Sequence, residues 1–100
     1  MNDWTSSSVV IRHDVGLHAR PSVKLTKLAK TFASAIQIAG SPEGPWIDAK
    51  SIVKVMAMKA KQDSTLYMRA QGGDAPAAVT ALKDLVERDF DEDAAHAASG

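Results

Sequence analysis

Apolar and polar positions recur with two different periods along this chain, and each change of period marks an element. Val9, Val10 and Ile11 are β-branched and predict a first strand ending near His13. The residues before it are polar, with Trp4 as their large apolar group, and predict a flexible N-terminus over residues 1–7. From Pro21 the period becomes helical: Leu25, Leu28, Ala29 and Phe32 recur at i, i+3, i+4 and i+7 and form one core-facing stripe. Lys24, Lys27 and Lys30 lie off that stripe, and so does Val23. An apolar residue among lysines is either a docking position or a stray surface valine. Ile36 and Ile38 alternate with Ala35, Gln37 and Ala39, which predicts a second strand.

Gly40-Ser41-Pro42-Glu43-Gly44-Pro45 is dense in turn formers and leads into a short third strand around Trp46–Ala49. Pro45 places that strand at a sheet edge. Residues 51–61 carry two signals at once. Ile52, Val53 and Val55 favour a strand, whereas Ser51 is a good N-cap and Met56-Ala57-Met58-Lys59-Ala60-Lys61 favours a helix. Leu66, Met68 and Ala70 alternate with Thr65, Tyr67 and Arg69, a strand with one wet face. Gly72-Gly73-Asp74 ends it, Asp74 is placed to cap a helix with Pro76 in its first turn, and Val79, Leu82, Leu85 and Val86 form that helix's inner stripe. Residues 91–100, acidic and then small, predict a flexible tail.

One hundred residues suffice for one small domain and one core. Twelve basic and twelve acidic side chains cancel, which excludes nucleic-acid binding by bulk charge. With no cysteine the chain has neither disulfides nor thiol chemistry, and none of its three histidines sits in a metal-ligand cluster. No apolar run approaches the ~20 residues of a membrane span, and no basic-then-apolar leader is present. These features predict a cytoplasmic protein without metal or cofactor.

The candidate chemistry lies in Gly16-Leu17-His18-Ala19-Arg20-Pro21. Pro21 predicts a helix start, since its missing N–H costs nothing there. A helix N-terminus offers free backbone N–H groups and the positive end of a dipole. With an imidazole and an Arg fork beside it, such an end makes a small site for a phosphoryl group. The plain alternative is a surface or capping histidine.

This segment resembles the active-site loop of HPr, the histidine phosphocarrier of the bacterial phosphoenolpyruvate-dependent phosphotransferase system. Asp48-Ala49-Lys50-Ser51-Ile52 is similar to a second motif of that family, and the order of elements over residues 8–90 matches it as well. The resemblance implies a helix after Ser51, and so an α+β open-faced sandwich, βαββαβα, with one four-stranded antiparallel sheet covered on one face by three helices. On that helix Val55 and Met58 are expected to face inward, with Ile52 and Met56 near the surface.

The resemblance further implies that His18 takes a phosphoryl group on Nδ1 from enzyme I, itself charged by phosphoenolpyruvate, and passes it to an enzyme IIA-type protein. Arg20 would steady the phosphate. Ser51 would be the regulatory serine addressed by an HPr kinase/phosphorylase, although a serine at that place is also an ordinary N-cap. Arg20, Val23, Lys27, Ile52, Val53, Lys54 and Met56 would form the partner surface of a monomer that turns nothing over by itself. Phe90-Asp91-Glu92-Asp93 is similar to the end of some chains of the nitrogen-related NPr branch, and points there rather than to sugar transport. Two rivals stand beside this reading. One is a small α+β protein-binding module in which His18 is never modified. The other is a hydrolase with His18 as base, for which no Ser, Cys or carboxylate partner is evident.

Overall fold

The computed structural model describes residues 4–11, 19–58, 60, 61 and 63–88. Its elements are β1 (Thr5–Val10), α1 (Ala19–Lys30), β2 (Ala35–Ala39), β3 (Ile47–Asp48), α2 (Ile52–Ala57), β4 (Thr65–Gln71) and α3 (Ala75–Glu87). The strands form one antiparallel sheet in the order β1-β4-β2-β3. α3 packs across β1, β4 and β2, α1 lies against α3 and α2, and α2 lies against β3. The expected βαββαβα sandwich is the observed one, with β3 on the edge as Pro45 indicated.

The alternating residues of β4 divide as their pattern requires: Leu66, Met68 and Ala70 are fully buried. They meet Ile36 and Ile38 of β2, Leu25 and Ala29 of α1, Val55 of α2, and Ala75, Ala78, Val79, Leu82, Leu85 and Val86 of α3. Each large aliphatic group so enclosed stabilises the fold by about 1.5–3 kcal/mol. Two hydroxyls intrude on this core. Ser22 and Thr26, one turn apart on α1, are buried and, among the described residues, have no hydrogen-bond partner for Oγ or Oγ1.

Three expectations require correction. β1 begins at Thr5 rather than Val9, so Thr5–Ser7 belong to the sheet and not to a flexible terminus. A run of serines has no apolar alternation to announce a strand; its pairing comes from β4, where Ser6, Ser7 and Ser8 lie opposite Arg69, Met68 and Tyr67. α1 begins at Ala19, not Pro21. Asp74 precedes α3 but makes no side-chain capping bond there. Its carboxylate instead accepts from the N–H groups of Ala33 (3.0 Å) and Ser34 (2.9 Å) and from the Ser34 hydroxyl. One side chain thus ties the turn between α1 and β2 to the start of α3.

The Ser34 hydroxyl, and after it the Ala33 N–H, hold the Asp74 carboxyl below its ordinary pKa of 3.8. Such a group stabilises the folded state above the ordinary value and stops doing so as pH falls through the lowered one. Asp74→Asn is therefore expected to lower the melting temperature at neutral pH, and the gap to the parent should close in strong acid. Thermal melts across that range check it.

On the uncovered face of the sheet the Arg69 guanidinium lies between two indole rings, 4.3 Å from the centroid of Trp4 and 4.2 Å from that of Trp46. Its Nε donates to Gln37 Oε1 at 2.8 Å. Gly44, at φ +89°, allows the hairpin to bring Trp46 this close: a Cβ there would stand 2.8 Å from the Trp46 nitrogen.

Candidate functional site

Arg20 and Pro21 occupy the first turn of α1. A proline there surrenders an N–H that has no partner within the helix. Pro21 and Ser22 are buried and seat this end of α1 on the protein, whereas Arg20 is exposed and, among the described residues, forms no salt bridge. The positive end of a twelve-residue helix and an unpaired guanidinium therefore share one place. His18 is the residue directly before α1 in the chain and lies outside the described residues, as do His13 and His96.

The second motif is a connector whose side chains each hold something. The Asp48 carboxylate accepts from Lys50 N–H at 2.9 Å, and Ala49, fully buried, donates its N–H to the Ile36 carbonyl at 3.0 Å. The Lys50 ammonium donates to the Phe32 carbonyl at 2.8 Å, just past the C-terminus of α1, where the helix dipole favours a cation. Ser51 is the N-cap of α2, with extended backbone (φ −105°, ψ 109°), and its Oγ accepts from Lys54 N–H at 3.4 Å. That contact is long, so the hydroxyl is only loosely engaged. The motif thus fixes the start of α2 relative to the end of α1. The roles of Lys50 and Asp48 escaped the sequence reading because their partners are set by the turn itself and by Phe32.

α2 resolves the ambiguous stretch as a helix. Val55 is buried and Met58 packs on the core, while Ile52 is half-buried. Val53 is 74% exposed, Met56 42% and Val23 44%. Three of the four large apolar side chains exposed among the described residues thus sit on α1 and α2, two helices packed against one another. Lys27 and Lys54 are exposed on the same two helices. Arg20, Val23 and Lys27 thus lie on one helix, and Ser51, Ile52, Val53, Lys54 and Met56 at the N-cap or within the helix that packs against it. Apolar groups of this size left in water, with cations near them, are what a transient docking surface presents. Among the described residues no group of His, Asp or Glu could hold a metal ion, and no helix is long and apolar enough to cross a membrane.

Comparison with known proteins bears on this arrangement directly. The family model described as PTS HPr component phosphorylation site matches residues 5–88. The chain is 35% identical over 85 residues to the phosphocarrier protein NPr of Proteus mirabilis, covering 85% of this chain and 93% of the relative. It is 42% identical over 82 residues to the phosphocarrier protein HPr of Cupriavidus necator, covering 82% and 90%. Its fold superposes on the crystal structure of an HPr from Thermoanaerobacter tengcongensis with a TM-score of 0.80 at 31% identity, covering 89% of this chain and 98% of the other. Motif, sheet order and helix placement converge with these likenesses: the chain belongs to the HPr family of phosphocarrier proteins of the phosphotransferase system.

Proposed function

We propose that His18 accepts a phosphoryl group from enzyme I and hands it to an enzyme IIA-type acceptor, in the cytoplasm and without any turnover of its own. The observation that carries this reading is the start of α1 at Ala19, with Arg20 exposed in its first turn. That end of the helix disfavours a protonated imidazole nearby and so favours the neutral nucleophile. Nδ1 attacks phosphorus as the donor's N–P bond breaks, and the Arg20 fork and first-turn N–H groups take up the charge on the phosphoryl oxygens. The N–P bond retains a high transfer potential, so the group can move on. Incubation with enzyme I and phosphoenolpyruvate should load one phosphate that is labile in acid and stable in alkali. No uptake, or an acid-stable ester, would overturn the reading.

Docking falls to the paired helices, where Val23, Ile52, Val53 and Met56 supply apolar contact and Arg20, Lys27 and Lys54 a basic rim. Basic rims accelerate encounter with acidic partners in a salt-sensitive way. Lys27→Glu with Lys54→Glu should slow association with enzyme I about tenfold at low salt, the deficit shrinking as ionic strength rises. Stopped-flow transfer kinetics at two salt concentrations check this.

Ser51 is the proposed regulatory position, open to an HPr kinase/phosphorylase. A phosphate at an N-cap meets the favourable end of the dipole and leaves the helix intact, but sets a dianion beside Ile52 and Met56. Ser51→Asp should therefore weaken phosphorylation of His18 by enzyme I without lowering the melting temperature. The nitrogen-related branch is the proposed setting. Its motif, Phe90-Asp91-Glu92-Asp93, lies outside the described residues.

A further inference from the structure

β1 is an end strand of the sheet, with β4 on one side and, among the described residues, no strand on the other. Its hydrogen-bonding phase follows from the residue after it. Ile11 donates its N–H to the Ser64 carbonyl (2.9 Å) and its C=O accepts from the Asp63 N–H (2.7 Å), so Ile11 faces the β4 side. Backbone direction alternates along an antiparallel strand. Val9, Ser7 and Thr5 therefore also face β4, and Ser6, Ser8 and Val10 turn their N–H and C=O groups outward. None of the turn and loop hydrogen bonds among the described residues ends on these three. β1 also lacks the usual protections of an exposed edge. It carries no charge and no proline, and its one-to-one register with β4 contains no bulge.

Room exists on both sides of a strand laid along this edge. Towards α3 an open cleft of about 900 Å³ is lined by Ser7, Val79, Thr80, Lys83, Asp84 and Glu87 among others. On the uncovered face a cleft of about 480 Å³ is lined by Ser6, Ser8, Tyr67 and Trp46, again with Lys83. An added strand would send alternate side chains into the two clefts. Lys83 borders both, and makes no ion pair among the described residues; its neighbour Asp84 is engaged by Arg88 at 3.1 Å. Glu87, one turn on, borders the cleft towards α3 and a third with Ser8, Val9 and Val10, so an acidic group is received on the uncovered face, where Lys83 is the charged residue of the lining.

We propose that the free edge of β1 binds an extended segment of a partner protein by strand addition to Ser6, Ser8 and Val10, with an acidic side chain of that segment against Lys83. A second copy of β1 is the poorer occupant. β1 carries no carboxylate, so a second copy of the strand would bring no counter-charge to Lys83 in the cleft on the uncovered face. The site is separate from α1 and α2 and independent of any phosphorylation.

The probe is a synthetic peptide, acetyl-Thr-Val-Glu-Val-Thr-Val-amide, and its counterpart with Gln for Glu, titrated into the ¹⁵N-labelled protein. Binding should shift amide resonances along β1 and slow hydrogen exchange at Ser6, Ser8 and Val10, while leaving Ser7 and Val9 as they were. The Gln peptide should bind roughly threefold more weakly, as for one exposed ion pair, and Lys83→Glu should reverse that preference. Ser8→Pro removes one outward donor without touching the β4 ladder and should abolish the effect; if it does not fold, Lys83→Glu carries the test alone. Shifts confined to α1 and α2, no response at millimolar peptide, or concentration-dependent protection of β1 without peptide would each overturn the proposal, the last in favour of self-pairing.

Discussion

His18→Ala will take up no acid-labile phosphate from enzyme I, and will keep the far-UV circular dichroism of the parent. The loss is total because no other side chain of the motif can replace the imidazole. A guanidinium stays charged and is no nucleophile, so Arg20 can steady a phosphate but cannot carry one. Ser51 lies on another helix, and a serine ester is stable in acid, so any label it gained would be told apart by its chemistry. The fold should survive because the buried cluster among the described residues is built from the strands, the three helices, Ile11 and Ala49. Electrophoretic mobility under native conditions after incubation with phosphoenolpyruvate and enzyme I, together with a thermal melt, separates loss of the acceptor from loss of structure. An acid-labile phosphate retained by the variant would place the acceptor elsewhere.

Gly72→Ala should be the most destabilising single substitution outside the apolar core. Gly72 adopts φ +145°, a conformation closed to residues with a Cβ. Such an atom would also stand 2.5 Å from Ser34 Oγ and 2.9 Å from Ser34 Cα, and the second of these is backbone. The neighbour cannot give way, because Ser34 is held by Asp74 through both its N–H and its hydroxyl. Backbone strain and overpacking together cost on the order of 3–5 kcal/mol. Against a typical total of about 5–15 kcal/mol this is a large fraction, and in a domain of this size it lowers the melting temperature by roughly 15–30 °C. Calorimetry of the variant measures it, and a shift of a few degrees would show that the turn yields.

The sequence discloses those parts of this fold whose cause is local. Leu66, Met68 and Ala70 in β4 and Val79, Leu82, Leu85 and Val86 in α3 face inward as their periods require, because one buried face is enough to dictate alternation. β1 was harder to see. Ser6-Ser7-Ser8 is a strand by virtue of β4, nearly sixty residues further on, and no local preference of serine announces it. Asp74 shows the same limit for a single side chain: it sits where a cap belongs, yet its carboxylate finds better donors at Ala33 and Ser34, forty residues back. Arg69 reads as an ordinary wet-face residue until the fold brings Trp4 and Trp46 to it. At the candidate site, Arg20 and Ser51 stand in contiguous motifs and were legible for that reason, while Val53 and Met56 stood out as more apolar groups than one buried helix face needs. The packing of α1 on α2 was not legible.

The sandwich of Arg69 between indoles has a practical corollary. The chain contains two tryptophans, and both stand against that one guanidinium, on the sheet side turned away from the helices. Intrinsic fluorescence from this protein is consequently a local gauge. It senses the hairpin and the first strand coming apart. An optical assay for the integrity of the sheet is already built in.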